Sequence, residues 1–163
     1  QILNDHWGYA ANDVSYKSVK ELIENLVDCR KFGCNFLLNV GPTANGALKG
    51  IDKGILEEIG KWIRFNKNFI YDVKPCDVTA ENADIVKAGD YYYAIIKDVP
   101  MAANANVQLG GTVKRVKINA SVKNAVWLDN GKKADIKRGE FEAIPFNYGT
   151  SMHVRVLRFK LKQ

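Results

Sequence analysis

The hydrophobic pattern changes period near Pro75, and no other feature of the sequence constrains the fold as strongly. Before it, from Ser15 to about Phe32, the apolar residues Val19, Leu22, Ile23, Leu26 and Val27 recur at the spacing of one helix face, with Lys20, Glu21, Glu24, Asn25 and Asp28 between them. Ser15 is placed to cap the N-terminus of that helix and Gly33 to end it in a left-handed turn. Cys34 to Val40 is then a short, nearly continuous apolar run closed by Gly41-Pro42. A helix followed at once by such a run predicts a parallel strand buried on both faces. Thr43 to Gly50 carries loop signals, and a second amphipathic helix is predicted over about Asp52 to Phe65, with Ile55, Leu56, Ile59, Trp62 and Ile63 on one side.

Beyond Pro75 the pattern is short strands and turns. Strands are predicted at Tyr91–Ile96, Val113–Ile118, Ala125–Leu128, Phe141–Ile144 and His153–Leu161. Turn signals stand between them at Gly89-Asp90, Gly110-Gly111, Asp129-Asn130-Gly131, Arg138-Gly139 and Tyr148-Gly149. Short strands with this punctuation favour an antiparallel sandwich. In the last strand Val154 and Val156 share one parity, whereas Leu157, Phe159 and Leu161 share the other, which calls for a bulge near residue 156 or for cover on both faces.

With 163 residues, 47% of them hydrophobic, the chain has material for a sizeable core. Residues 1–75 hold ten basic and nine acidic side chains and residues 76–163 fourteen and nine, so nearly all of the net +6 belongs to the second part. The positive residues are interleaved with acids and apolar residues rather than clustered, which argues against nucleic acid as a partner. No apolar run approaches the roughly 20 residues that cross a bilayer, so no membrane span is expected. The first residues carry no signal-peptide pattern and no Met, and the chain is expected to be cut from something longer. Cys29, Cys34 and Cys76 form no C-x-x-C pair and only His6 and His153 could join them, so neither a disulfide framework nor a metal site is expected; free thiols lean towards the cytoplasm. No cofactor is expected.

The segment with the most chemical promise is His6-Trp7-Gly8-Tyr9, near Asp5 and Asp13. An exposed tryptophan offers a flat face to the C–H side of a sugar, and histidine or tyrosine can bond its hydroxyls, but the pattern alone favours a buried aromatic cluster at a strand end. Asn35 and Asn39, set in an apolar run, need partners if buried and most simply anchor neighbouring loops. Gly41 to Gly46 lacks both phosphate-loop spacings and reads as a structural turn. Glu57 and Glu58 diverge by about 100° on a helix and make no paired carboxylate site. Lys114 to Lys117 reads as the wet face of a strand, and Asn119-Ala120-Ser121 matches the glycosylation triplet without a known secretory context.

Trp7-Gly8-Tyr9, then Tyr16-Lys17-Ser18, an amphipathic helix, and Gly33-Cys34-Asn35-Phe36-Leu37-Leu38-Asn39-Val40-Gly41-Pro42-Thr43-Ala44-Asn45-Gly46 together resemble the α-L-fucosidases of glycoside hydrolase family 29. The helix ending Ile59-Gly60-Lys61-Trp62-Ile63 and the stretch from Asn66 to Tyr71 follow in the same order, and the later Tyr92-Tyr93-Ala94-Ile95 and Val154–Leu161 resemble that family's C-terminal sandwich more loosely. Cys34 replaces the family's usual glycine, Asn45 its frequent aspartate and Lys67-Asn68 its usual Gly-Glu.

The resemblance implies an α+β fragment: the last βα units of a (β/α)8-like barrel over residues 1–74, followed by an antiparallel β-sandwich over residues 75–163. Against a typical barrel of about 250 residues, the first part amounts to about a quarter. Trp7 then becomes an aromatic wall of the sugar pocket, near the methyl group of fucose, with His6 and Tyr9 as weaker substrate-binding candidates. The chemistry implied is retaining hydrolysis by a carboxylate nucleophile and a carboxyl acid/base. Both come from earlier barrel strands in this family, so no catalytic residue is expected in the chain and it should be inactive alone. A fucosylated carbohydrate and the upstream barrel portion, or a second copy, are the implied partners. The alternative is a non-catalytic carbohydrate-binding or structural sandwich, for which exposed aromatics among Tyr91, Tyr92, Tyr93 and Trp127 would be required.

Overall fold

The computed structural model describes residues 2–99, 113–144, 146–147 and 150–162. Two helices, α1 (Val19–Lys31) and α2 (Gly50–Ile70), precede ten strands: β1 (Lys74–Pro75), β2 (Ala80–Glu81), β3 (Asp84–Ala88), β4 (Tyr91–Ile96), β5 (Lys114–Ile118), β6 (Val122–Trp127), β7 (Glu140–Ala143), β8 (Phe146–Asn147), β9 (Thr150–Ser151) and β10 (Arg155–Leu161). Pairing is antiparallel throughout these strands, in one sheet ordered β1-β3-β4-β10-β6, a second ordered β2-β5-β7 and a β8-β9 pair. The fold is thus a mixed α/β arrangement with antiparallel sheets. The turn readings at Gly110-Gly111 and Tyr148-Gly149 lie outside the described residues.

The helix α1 starts later than the sequence pattern suggests. Its cap is Ser18, whose hydroxyl accepts from the Glu21 N–H at 3.1 Å, and not Ser15. Ser15 instead donates its N–H to Asp13 Oδ1, and Lys17 N–H bonds the Leu3 carbonyl, so residues 15–17 are held outside the helix. Glu21 in the first turn and Arg30 and Lys31 in the last complement the helix dipole, and Gly33 ends the element at φ +71°. Arg30 then clamps the helix end, donating to the carbonyls of Cys34, Tyr71 and Val73. Helix α2 runs five residues past the expected end, with a non-helical step at Asn66, whose Nδ2 donates to the Trp62 carbonyl.

The five-stranded sheet is covered on both faces, and the parity of its strands shows how. Val86, Tyr93, Ile95, Val154 and Val156 share one core with Leu22, Ile23 and Val27 of α1 and Ile59, Trp62, Phe69 and Ile70 of α2. Ile85, Ala94, Ile96, Leu157 and Phe159 share the other with Val116, Ile118, Phe141 and Ala143 of the three-stranded sheet. This resolves the parity change in β10: Val156 faces the helices and Leu157 and Phe159 the second sheet, while the register slip against β6 falls later, between Arg158 and Lys160. Trp62 pins α2 to the sheet by donating Nε1–H to the Val154 carbonyl at 2.9 Å. Phe69 lies between Trp62 and Tyr93, with ring centroids 6.4 and 5.6 Å away. At the rim of the second core, Arg155 grips Asp129 through two N–H groups, donates to the Ile144 carbonyl and lies 3.9 Å from the Trp127 ring centre.

One expectation fails. The run Cys34–Val40, read as a strand buried on both faces, makes a single parallel bridge, Ile2 with Asn39, and Leu37 is 71% exposed. A parallel strand is satisfied by a neighbour along each edge and a layer on each face. Here the segment around Ile2 and Leu3 supplies one edge only, through Leu3 N–H to the Asn39 carbonyl at 3.2 Å.

Candidate functional site

The segment from Ile2 to Tyr9 lies alongside Asn39–Gly41, and two contacts fix how closely. Asn39 Nδ2 donates to the Trp7 carbonyl at 2.6 Å. A Cβ on Gly41 would lie 2.4 Å from the Gly8 carbonyl carbon and 2.6 Å from the Tyr9 nitrogen, so the backbones meet at a distance only glycine permits. Asn39 therefore serves as the loop anchor its sequence context suggests, whereas Asn35 is exposed. The side chain of Trp7 is turned to solvent, 76% exposed, and Tyr9 is 48% exposed. They form no buried aromatic cluster.

Asp13 organises the loop beneath these aromatics. Its Oδ2 accepts from His6 Nδ1 at 2.9 Å and from the Asp5 N–H at 3.1 Å, and its Oδ1 accepts from the Ser15 N–H at 2.9 Å. The hydrogen bond from His6, then that from the Ser15 N–H, holds its carboxyl below the ordinary carboxylate range. On the other side Lys49, one residue before α2, donates to the Ala10 carbonyl at 2.6 Å and sits 4.9 Å from the Tyr9 ring centre. Part of the Tyr9 ring thus supports the loop. The structure brings His6, Trp7 and Tyr9 to one loop, with Asp13 and Lys49 as supports that carried no assigned role in the sequence reading. Asp13 had a signal, an aspartate two residues before Ser15 in a turn. Lys49 had none, because its partners Tyr16, Ala10 and Tyr9 lie 33 to 40 positions away.

The remaining motifs are structural. Thr43 to Ala47 closes as a turn, with Thr43 Oγ1 donating to the Ala47 carbonyl and Gly46 at φ +80°. Glu57 and Glu58 are exposed on α2, and Glu58 pairs with Lys61. Arg115 and Lys117 line the solvent face of β5 opposite Glu142 and Glu140. The three cysteines are free, and among the described residues no three His, Cys, Asp or Glu side chains gather as a metal site would need. No helix among the described residues is long and apolar enough to cross a membrane.

A concavity of about 1070 Å³ opens at the three-stranded sheet rather than at Trp7. Its aromatic floor is closed: Trp127 is 7% exposed under Arg155 and Phe141 5%. Tyr93 is buried, Tyr92 stacks on Phe159, and Tyr91 carries Arg158 and Lys160 on its ring. Of these aromatic residues, Trp7 is the most exposed.

The family model described as alpha-L-fucosidase matches residues 1–68. Human tissue alpha-L-fucosidase is 36% identical over 120 residues, covering 69% of this chain and 25% of that protein. The mouse tissue enzyme is 38% identical over 78 residues, 46% of this chain and 17% of that protein. The chain therefore spans a quarter or less of these curated relatives. Among solved structures, alpha-L-fucosidase isoenzyme 1 from Paenibacillus thiaminolyticus superposes with a TM-score of 0.77 at 29% identity, over 99% of this chain and 39% of that one. The Thermotoga maritima alpha-fucosidase, solved in complex with fucose, has the same fold, with a TM-score of 0.73 at 20% identity over 97% of this chain and 38% of that one. The family model, the tissue-enzyme relatives and the shared fold agree: the chain belongs to the α-L-fucosidase family.

Proposed function

We propose that this chain is the closing part of an α-L-fucosidase, with residues 1–74 completing the catalytic barrel and residues 75–163 forming its C-terminal sandwich, and that it contributes a wall of the fucose pocket. The observation that carries the reading is Trp7. It is 76% exposed although its backbone carbonyl is tied to Asn39, so an anchored loop presents a bare indole face. The end of a parallel strand is where a barrel of this kind meets its substrate, and an indole suits the apolar face of a sugar. His6 and Tyr9 flank it with polar edges. The carboxylates for retaining hydrolysis belong to the upstream portion, and the chain alone is inactive. The exposed Leu37, beside a run with one bridged edge, suits docking against that upstream portion or against a second copy. The alternative, sugar binding by the sheets, has less support because Tyr93 and Trp127 are packed inward.

The test is hydrolysis of an aryl α-L-fucoside by the purified chain, with and without a separately supplied upstream segment. Activity is expected only on mixing, and Trp7→Ala is expected to lower it by at least tenfold. Turnover by the chain alone, or full activity of the Trp7→Ala mixture, would sink the reading.

A further inference from the structure

We infer that Asp13 is a positioning residue of the sugar site: its carboxylate holds His6 in the tautomer that leaves Nε2 free to accept a hydrogen bond from a fucose hydroxyl. The inference rests on the reading of Trp7 as a pocket wall and extends it to a residue with no assigned part. A carboxylate only accepts, so the 2.9 Å contact requires the proton on His6 Nδ1. The other ring nitrogen of the neutral imidazole is then an acceptor, and among the described residues it has no protein partner. Exposure divides the pair in the way a positioned ligand needs. The Asp13 side chain is 4% exposed and the His6 side chain 62%, so the carboxylate is largely covered while most of the imidazole is open to solvent. The Asp5 and Ser15 N–H groups hold Asp13 itself. With Trp7 adjacent in the chain, the loop offers a sugar one apolar face and one oriented acceptor, the combination that distinguishes a hydroxyl from bulk apolar surface.

The experiment is nitrogen-detected NMR of the His6 imidazole at neutral pH in the full chain, followed by titration with L-fucose. The expected spectrum shows Nδ1 protonated and Nε2 bare, with Nε2 shifting as fucose is added. Asp13→Asn is expected to mix the tautomers and weaken fucose binding at least fivefold, and Asp13→Glu to restore part of both. His6→Phe leaves the two backbone bonds to Asp13 in place, so a loss of fucose affinity there cannot be ascribed to an unravelled loop. A wild-type ring protonated chiefly at Nε2 overturns the inference, as does Asp13→Asn or His6→Phe with unchanged fucose affinity while Trp7→Ala abolishes binding. Fucose binding that is absent from the wild type, or indifferent to Trp7→Ala, overturns the pocket-wall reading, and the tautomer measurement then still decides whether Asp13 orients the ring.

Discussion

The two ends of this chain treat their apolar residues in opposite ways. In the sheets, Val86, Ala94, Ile96, Leu157 and Phe159 are all within 1% of full burial, each on the face its parity assigns. In the first 40 residues, Trp7, Val14, Phe32 and Leu37 are each at least 70% exposed. The sheets are held by continuous ladders, whereas Ile2–Tyr9 is held to Asn39–Gly41 by one bridge, one side-chain amide and a glycine contact. The difference teaches that one region finds its neighbours within the chain, whereas the segments flanking α1 leave large apolar side chains uncovered by it.

The comparison is sharpened most by a substitution at the rim of the sheet core. Asp129→Ala leaves the guanidinium of Arg155, 4% exposed, without its carboxylate. Removing one partner of a buried pair costs about 3–5 kcal/mol, which for a domain of this size lowers Tm by on the order of 10 °C. Thermal melts measure it. A shift of a degree or two would show that the sheet region is no more tightly determined than the first 40 residues.

A smaller effect is expected at the strand-end contact. Gly41→Ala forces a methyl group against backbone atoms of Gly8 and Tyr9, and the segments must part. Overpacking of this kind costs about 1–3 kcal/mol, and because only a bridge and an amide bind the segments, the loss should stay local. Hydrogen exchange should quicken at Leu3 and its neighbours while the amides of β4 and β10 keep their protection. Equal loss at both places would break the comparison.

How much of this was legible in sequence follows the same division. Tyr91–Ile96 was read with its bounds, because turn residues flank it and Gly89 takes the left-handed conformation its position suggested. The two-sided burial of β10 was legible as a parity change, but which element covered which face was not. That depends on helices far earlier in the chain, as the bond from Trp62 to Val154, 92 positions apart, shows. Strand β3, five residues long with Asp84 at its start and Lys87 next to its end, gave too weak an alternation to be seen. At the candidate site the pattern alone favours a buried aromatic cluster, and the exposed Trp7 overturns that reading, since exposure is decided by what packs nearby. The start of α1 was misplaced because Ser15 and Ser18 are both cap formers. The choice between them was made by Asp13 and Leu3, which take Ser15 N–H and Lys17 N–H.

That same competition yields the smallest expected effect and the most local one. The carboxyl of Asp13 is held below its ordinary value of about 3.9 by His6 and by the Ser15 N–H. A group whose folded pKa is depressed contributes stability that is fully present above the unfolded value and is lost as pH falls through the folded value. The loop from Asp5 to Ser15 should therefore stay ordered throughout the neutral and mildly acid range, and loosen only below the ordinary carboxylate value. Protonation of Asp13 leaves its oxygens poorer acceptors, so the Ser15 and Asp5 amides should lose protection together and along the titration of Asp13, which NMR at successive pH values follows directly. The sheets have no stake in that proton, and amides of β4 should not move with it. If the loop amides instead loosen near neutral pH, the proton on Asp13 does not govern the order of the loop. If loop and sheet amides loosen together, the loop belongs to the same cooperative unit as the core and the contrast between the two regions fails.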